Sequence, residues 1–160
     1  MSREFRQALS CFATGVTVVT SRWNEADWGM TCNSFSSASL EPQLVLWSIR
    51  KNASSHEAFT RAGGYTVSVL AAHQEAVARQ FATGSMAERF ADTTSERLAS
   101  GRIKLAQAAA WFDCTLVDVI PAGDHDILLG QVQDFGWTEL EPLLFAKSQF
   151  MQAAALVPCT

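Results

Sequence analysis

The sequence predicts a mostly β fold, an antiparallel barrel of about six or seven short strands with helices at its periphery. Three observations predict it. Short segments either alternate apolar and polar side chains or run apolar throughout, as half-buried and buried strands do. Clusters of glycine, proline, asparagine and aspartate separate those segments. Helical spacing is confined to a few brief stretches, with none of the strand–helix–strand alternation that builds a parallel sheet. At 160 residues the chain fits one domain, set at residues 1–151, with residues 152–160 read as a loosely held tail.

The elements follow in order. Phe5, Leu9 and Phe12 fall at helical spacing, Gly15 breaks the pattern, and "VTVVT" alternates over residues 16–20 as a strand. "SRWNEADWG" reads as a turn, "GMTCNSF" as a returning strand that loosens into a loop, and "QLVLWSI" as a strand buried on both faces. In "NASSHEAFTRAGG", Ser54 and Glu57 have capping-box spacing at a helix start, and Gly63 and Gly64 form its stop. "YTVSVL" is another alternating strand, and "AAHQEAVARQFA" an amphipathic helix with Val77 and Phe81 four apart. The stretch to about residue 105 reads as polar and irregular. "AWFDCTLVDVI" and "ILLGQVQDFGW" are strands joined by the turn "PAGDHD", and a last short strand lies near "PLLFAKSQF".

Composition narrows the function. With 48% hydrophobic and 18% charged residues the chain is globular and slightly rich in apolar surface, which predicts an oligomeric interface. A net charge of −4 with scattered Lys and Arg argues against a nucleic-acid partner. Neither a leader segment nor a membrane-spanning run is legible, so a soluble, cytoplasmic protein is expected. Cys11, Cys32, Cys114 and Cys159 lie too far apart for a metal knuckle and read as reduced thiols, of which Cys32 alone has reason to approach a ligand. The three histidines have no partner at metal-ligand spacing, and no metal is expected.

The most informative stretch is "GMTCNSFSSASLEPQLVLWSI", residues 29–49. A loop of neutral hydroxyl, amide and thiol side chains runs directly into an apolar strand, which suits a planar ligand with neutral donors and acceptors along one edge. Glycine-rich nucleotide fingerprints are missing. The remaining phosphate candidate is "SIRKNASSH", where Ser48, Arg50 and Lys51 end a strand and Ser54 and Ser55 open a helix; a solvated turn with an ordinary helix cap fits the same residues. His125, in "GDHD", is either a loop-tip imidazole over a ligand or a solvated surface group. Arg89 and Phe90 fit two readings as well, a clamp on a ligand or an anchor for a loop.

Taken together, "FRQALSCFATGVTVVTS", "GMTCNSFSSASLEPQLVLWSI", "YTVSVLAAHQEAVARQFA", "AWFDCTLVDVIPAGDHDILLGQV" and "PLLFAKSQF" resemble, in order and spacing over nearly the whole chain, the flavin reductase-like family with the FMN-binding split-barrel fold. The resemblance implies a split barrel and an NAD(P)H:flavin oxidoreductase, the small reductase component of a two-component flavin-dependent monooxygenase. It would pass a hydride from NADH or NADPH to FAD or FMN without a catalytic side chain, and supply reduced flavin by diffusion to a separate oxygenase. The resemblance also implies roles for residues. Gly29, Met30, Thr31, Asn33, Ser34 and Ser36 lie against the isoalloxazine, with Thr31, Asn33 and Ser34 at its polar edge. Ser48, Arg50, Ser54 and Ser55 carry the ribityl phosphate, Ile49 between them also contacts the flavin, and Gln80, Phe81 and Ala82 touch the rest of it. His125 and Phe150 take the nicotinamide side. A homodimer with flavin pockets near the interface is implied too. Cys32 stands where the family often has alanine, and "FAKSQF" departs from the family's usual Tyr or Arg-Gly after Pro-Leu-Leu. The alternatives are a non-catalytic flavin-binding protein and a monooxygenase-associated interaction module.

Overall fold

Val18 and Val19 explain the architecture in miniature: neighbours on one strand, they point to opposite faces and enter two different cores. The structure, a computed structural model, describes residues 3–153. Helix α1 (Arg3–Ser10) and the short β1 (Thr14–Gly15) lead into β2 (Thr17–Trp23) and β3 (Ala26–Cys32). Strands β4 (Ser36–Leu40) and β5 (Gln43–Arg50), helix α2 (His56–Arg61) and β6 (Gly64–Val69) follow. After a single turn of 3₁₀ helix come α3 (Glu75–Thr83), α4 (Met86–Phe90), β7 (Ser95–Arg97) and β8 (Ile103–Leu105). The long β9 (Ala110–Ala122) and β10 (His125–Trp137) precede the closing pair β11 (Leu143–Ala146) and β12 (Gln149–Gln152).

Seven of these strands form one antiparallel sheet in the order β3-β2-β6-β9-β10-β5-β4. The sheet curls until its edge strands, β3 and β4, approach through the connecting residues 33–35, but those edges do not pair with each other. The barrel is therefore split along one seam. Two register shifts in the β9–β10 ladder, after Leu129 and after Val132, accompany the bending of its longest hairpin. Inside the barrel lie Val19, Val45, Trp47, Ile49, Phe59, Tyr65, Val67, Cys114 and Leu128. A second core of Val16, Val18, Leu70, Ala78, Phe81, Leu105 and Leu143 joins the outside of the sheet to α3 and the small sheet β1-β11-β12.

Several expectations need correction. The "SRWNEADWG" turn shrinks to Asn24 and Glu25, both at positive φ (49° and 63°), because the flanking residues extend β2 and β3 into a tight hairpin. The strand buried on both faces is β2, where residues 17–21 are all buried, rather than β5. On β5, Val45, Trp47 and Ile49 are buried while Leu44, Leu46 and Ser48 are half-covered, because only one face meets the barrel interior. The end of the polar loop is itself a strand, β4, paired to β5. The stretch from residue 85 to 105 is ordered by α4 and the β7–β8 hairpin. The capping box belongs to α4, where Ser85 Oγ accepts from Glu88 N and Glu88 Oε2 from Ser85 N; α2 begins after Ser55 without a side-chain cap. The final strand is a hairpin, with Lys147 and Ser148 at positive φ in its turn. Gln152 still belongs to β12, and residues 154–160 of the expected tail lie outside the described residues.

Candidate functional site

The seam concentrates what the polar loop promised. Met30, Thr31, Cys32, Asn33, Ser34, Ser48, Arg50, Ala53 and His125 line one cavity of about 320 Å³. A second, of about 250 Å³, is bounded by Val16, Thr31, Cys32, Asn33, Ala82, Phe145 and Phe150. A third joins Asn33–Phe35 and Ser36 to residues 12–15. Asn33 borders all three, so the turn linking the two sheet edges stands in the middle of one groove. The carboxamide of Asn33 makes no hydrogen bond among the described residues and is exposed.

Each neighbouring side chain has a definite task. Ser34 latches the seam, since its Oγ accepts from Ser48 N at 2.9 Å and lies 3.2 Å from Ser48 O, to which it donates. Thr31 Oγ1 donates to Ala78 O at 2.6 Å, which ties β3 to α3 and leaves that oxygen only accepting capacity toward the groove. Cys32 is held by Thr17, whose Oγ1 donates to Cys32 O at 2.9 Å and lies 3.1 Å from Sγ. Burial pushes the Cys32 thiol up despite that contact, so it stays a neutral thiol in the groove wall. Ser36 is exposed and donates to Ser37 O.

The cations sit at one end. Arg50 ends β5 opposite His125, the first residue of β10, and its guanidinium has no hydrogen bond or ion pair among the described residues. His125 is thus a strand residue rather than a loop tip. The turn before it is only Gly123 and Asp124, with Gly123 at φ 64°. Asp124 Oδ1 lies 2.8 Å from His125 Nδ1, which leaves Nε2 as the imidazole's free nitrogen. That contact, with the Arg50 charge as a lesser influence, holds the Asp124 carboxyl below its usual range.

Other expected site residues have side chains engaged elsewhere. Ile49 and Phe81 are fully buried core side chains. Gly29 serves packing: a Cβ there would lie 2.7 Å from Phe81 and 2.9 Å from Phe90, so its lack of a side chain lets β3 meet α3 and α4. Gln80 Nε2 donates to Glu88 O, Arg89 O and Ala91 O, closing the end of α4. Ser55 is buried, with its hydroxyl 3.7 Å from Met30 Sδ, whereas Ser54 is exposed. Arg89 resolves as an anchor, donating to Gly84 O and Gly29 O, both at 2.8 Å; Phe90 packs its ring at 5.1 Å on Phe81. Phe150 faces the second cavity, packed on Phe145 at 5.3 Å and covered by the Arg79 guanidinium at 4.8 Å. The sequence reading missed Val16, Ala53, Phe145 and residues 12–15. None of these residue types signals a ligand in the sequence, and Gly15 reads there only as the end of a helical pattern.

Among the described residues no group of three or more His, Cys, Asp or Glu side chains could hold a metal, and no helix is long and apolar enough to cross a membrane.

A small antiparallel barrel, split along one seam that is lined by neutral polar side chains with an unpaired arginine at one end, is a split barrel with a ligand-sized groove. The chain belongs to the flavin reductase like domain family, whose model matches residues 9–154. It is 40% identical over 149 residues to the FMN reductase (NADH) SmoA of Agrobacterium fabrum, covering 93% of this chain and 84% of that protein. It is 41% identical to the reductase component of the flavin-dependent trigonelline monooxygenase of Acinetobacter baylyi over 83% of this chain, but spans only 43% of that longer relative. Among solved structures, the NADH:FAD oxidoreductase SgcE6 of Streptomyces globisporus, in complex with NAD and FAD fragments, superposes with a TM-score of 0.90 at 37% identity, covering 94% of this chain and 92% of that one.

Proposed function

We propose that the protein is an NAD(P)H-dependent flavin reductase, which reduces FMN or FAD with NADH or NADPH and releases the reduced flavin to a separate monooxygenase. The observation that carries this is the seam groove. Its wall offers the free carboxamide of Asn33, accepting oxygens at Thr31 and Ser34 and the hydroxyl of Ser48 beside the apolar Val16, Phe145 and Phe150, a mixed set of neutral polar groups that fits a flat ring with a polar edge. Arg50, unpaired at the far end, fits the flavin's phosphate. The relatives named as NADH-dependent reductases support the same reading.

When bound, the flavin supplies the ring that accepts the hydride. The chain's residues bind and align. Asn33 and the accepting lone pairs of Thr31 meet the polar edge, while Arg50 with Ser48 and the exposed Ser54 fixes the phosphate. His125 and Phe150 border the face on which a nicotinamide stacks, and the apolar side chains of the second cavity keep water from the reacting atoms. Residues 1–151 act as one reductase domain.

The same reading includes a homodimer in the cytoplasm. Phe35, Phe112, Phe135 and Trp137 form a row of near-parallel rings 5.5 to 6.4 Å apart that runs from the barrel core, against which Phe35 and Phe112 pack, out to solvent. Trp137 is 72% exposed, Phe135 46% and the neighbouring Leu40 88%, more apolar surface in one place than a solitary monomer ordinarily leaves to water. Phe35 belongs both to this face and to the seam groove, so a second copy seated here would cover the pocket's rim.

Anaerobic stopped-flow mixing of the protein, each flavin and each nicotinamide tests the activity. Bleaching of flavin absorbance at a rate that depends on the protein is expected, and its ranking selects the cofactors. Flavin binding without bleaching would instead make the chain a flavin-binding protein, and no binding would make it an interaction module.

A further inference from the structure

The segment proposed to hold the flavin phosphate carries two cations, Arg50 and Lys51, and the structure treats them differently. Arg50 is unpaired. Lys51 is turned away, its Nζ donating to Gly123 O at 2.8 Å and lying 3.6 Å from Asp126 Oδ1. The backbone follows, with Lys51 N donating to Asp124 O at 3.0 Å. Asp126 is 7% exposed and pairs across the ladder with Ile49, directly beside the Arg50–His125 pair. Its second oxygen, Oδ2, lies 2.7 Å from His56 Nε2, at the start of α2. One buried carboxylate therefore holds two basic side chains of the phosphate segment from behind, on the face of β10 opposite His125.

We infer that Asp126 sets the flavin affinity by keeping Lys51 off the phosphate, so that reduced flavin can leave. This inference rests on the phosphate lying at Arg50. A second ammonium on a phosphate adds a charge-assisted hydrogen bond, whereas a carboxylate close behind the site opposes the ligand's negative charge. Both effects of Asp126 weaken binding, and both act chiefly on dissociation. A reductase that hands its product to another protein needs that release, since a tightly held product limits turnover.

The test compares dissociation constants of FMN and of riboflavin, which lacks the phosphate, for the wild type, Asp126→Asn, Lys51→Ala and the double variant. Asp126→Asn keeps the side-chain volume and is expected to tighten FMN about tenfold while leaving riboflavin within about twofold. Lys51→Ala alone is expected to change FMN by less than about twofold, and when combined with Asp126→Asn to remove the gain, the non-additivity of coupled residues. Unchanged or weakened FMN binding in Asp126→Asn overturns the inference. So does a large loss of FMN affinity in Lys51→Ala, which would mean that Lys51 already touches the phosphate; that measurement stands even if Asp126→Asn does not fold. A wild type that binds riboflavin as tightly as FMN removes the phosphate reading itself, and this inference with it.

Discussion

Arg50 and His125 face each other across a β-ladder, yet the proposed function assigns them different partners, a phosphate and a nicotinamide. Arg50→Ala is expected to weaken FMN by about 1.5 to 3 kcal/mol, the range for a charge-assisted hydrogen bond, with riboflavin binding unaffected. Fluorescence titration reads it, and unchanged FMN affinity dismisses the assignment. His125→Ala is expected to leave flavin binding and folding near wild type while slowing flavin reduction and raising the nicotinamide KM. Among the described residues its side chain has only the exposed Asp124 carboxylate as a hydrogen-bond partner, and single-turnover kinetics separate lost contact from lost alignment. Wild-type reduction rates would remove it from the site. At this scale the sequence was half legible. Neutral polar residues beside an apolar strand pointed to the groove, and the structure gathers Met30, Thr31, Asn33, Ser34, Ser48, Arg50 and His125 around one cavity. What the residue types could not reveal was direction: Gln80 and Ser55 look like ligand donors in a linear chain, and only the turn of a helix aims them at α4 and Met30.

Elements show why direction was hidden. Both Ser54–Glu57 and Ser85–Glu88 have capping-box spacing, but only the second forms, because Ser85 adopts the extended backbone a cap needs while Ser55, with ψ 0°, continues the preceding turn. Spacing identifies candidates and backbone geometry chooses. The hairpin of β2 and β3 was legible but the tightness of its turn was concealed, since Asn24 and Glu25 lack the glycine that usually marks a two-residue turn with positive φ. The latch between β5 and the seam can be tested directly. Ser34→Ala removes the acceptor of Ser48 N and the donor to Ser48 O, and is expected to cost about 1 to 2 kcal/mol of stability in urea denaturation. It should also speed hydrogen exchange at Ser48 while leaving the β9–β10 ladder protected. Equal acceleration at both would show that the seam and the barrel open as one unit.

For the whole molecule, the antiparallel barrel with outlying helices was legible because alternation and turn chemistry are local. The unequal burial of the two faces of β5 was not, because Leu44 and Leu46 look like core in any sequence and only the pairing with β10 turns Val45, Trp47 and Ile49 inward instead; Leu44 also borders the apolar patch of Phe35, Phe112 and Phe135. That patch makes a definite forecast. Phe135→Asp is expected to shift the protein from dimer to monomer in sedimentation at micromolar concentration, with little loss of monomer stability because the ring is nearly half exposed. A wild type that sediments as a monomer would leave the patch without a partner copy.

The split in the barrel also bears on how this protein avoids its own kind. A sheet that fails to close leaves the outer rims of β3 and β4 with unmatched peptide groups, and such rims invite another chain to add a strand and start a fibril. β4 is poorly suited to that invitation. It is only five residues long, it is mostly serine, and its register with β5 slips between Ser37 and Ser39, so a flat run of backbone is never offered. The hydroxyl-rich composition that lines the seam thus also discourages cross-β growth there. Evolution of a greasier, tighter groove in this strand would have to contend with aggregation before it gained affinity.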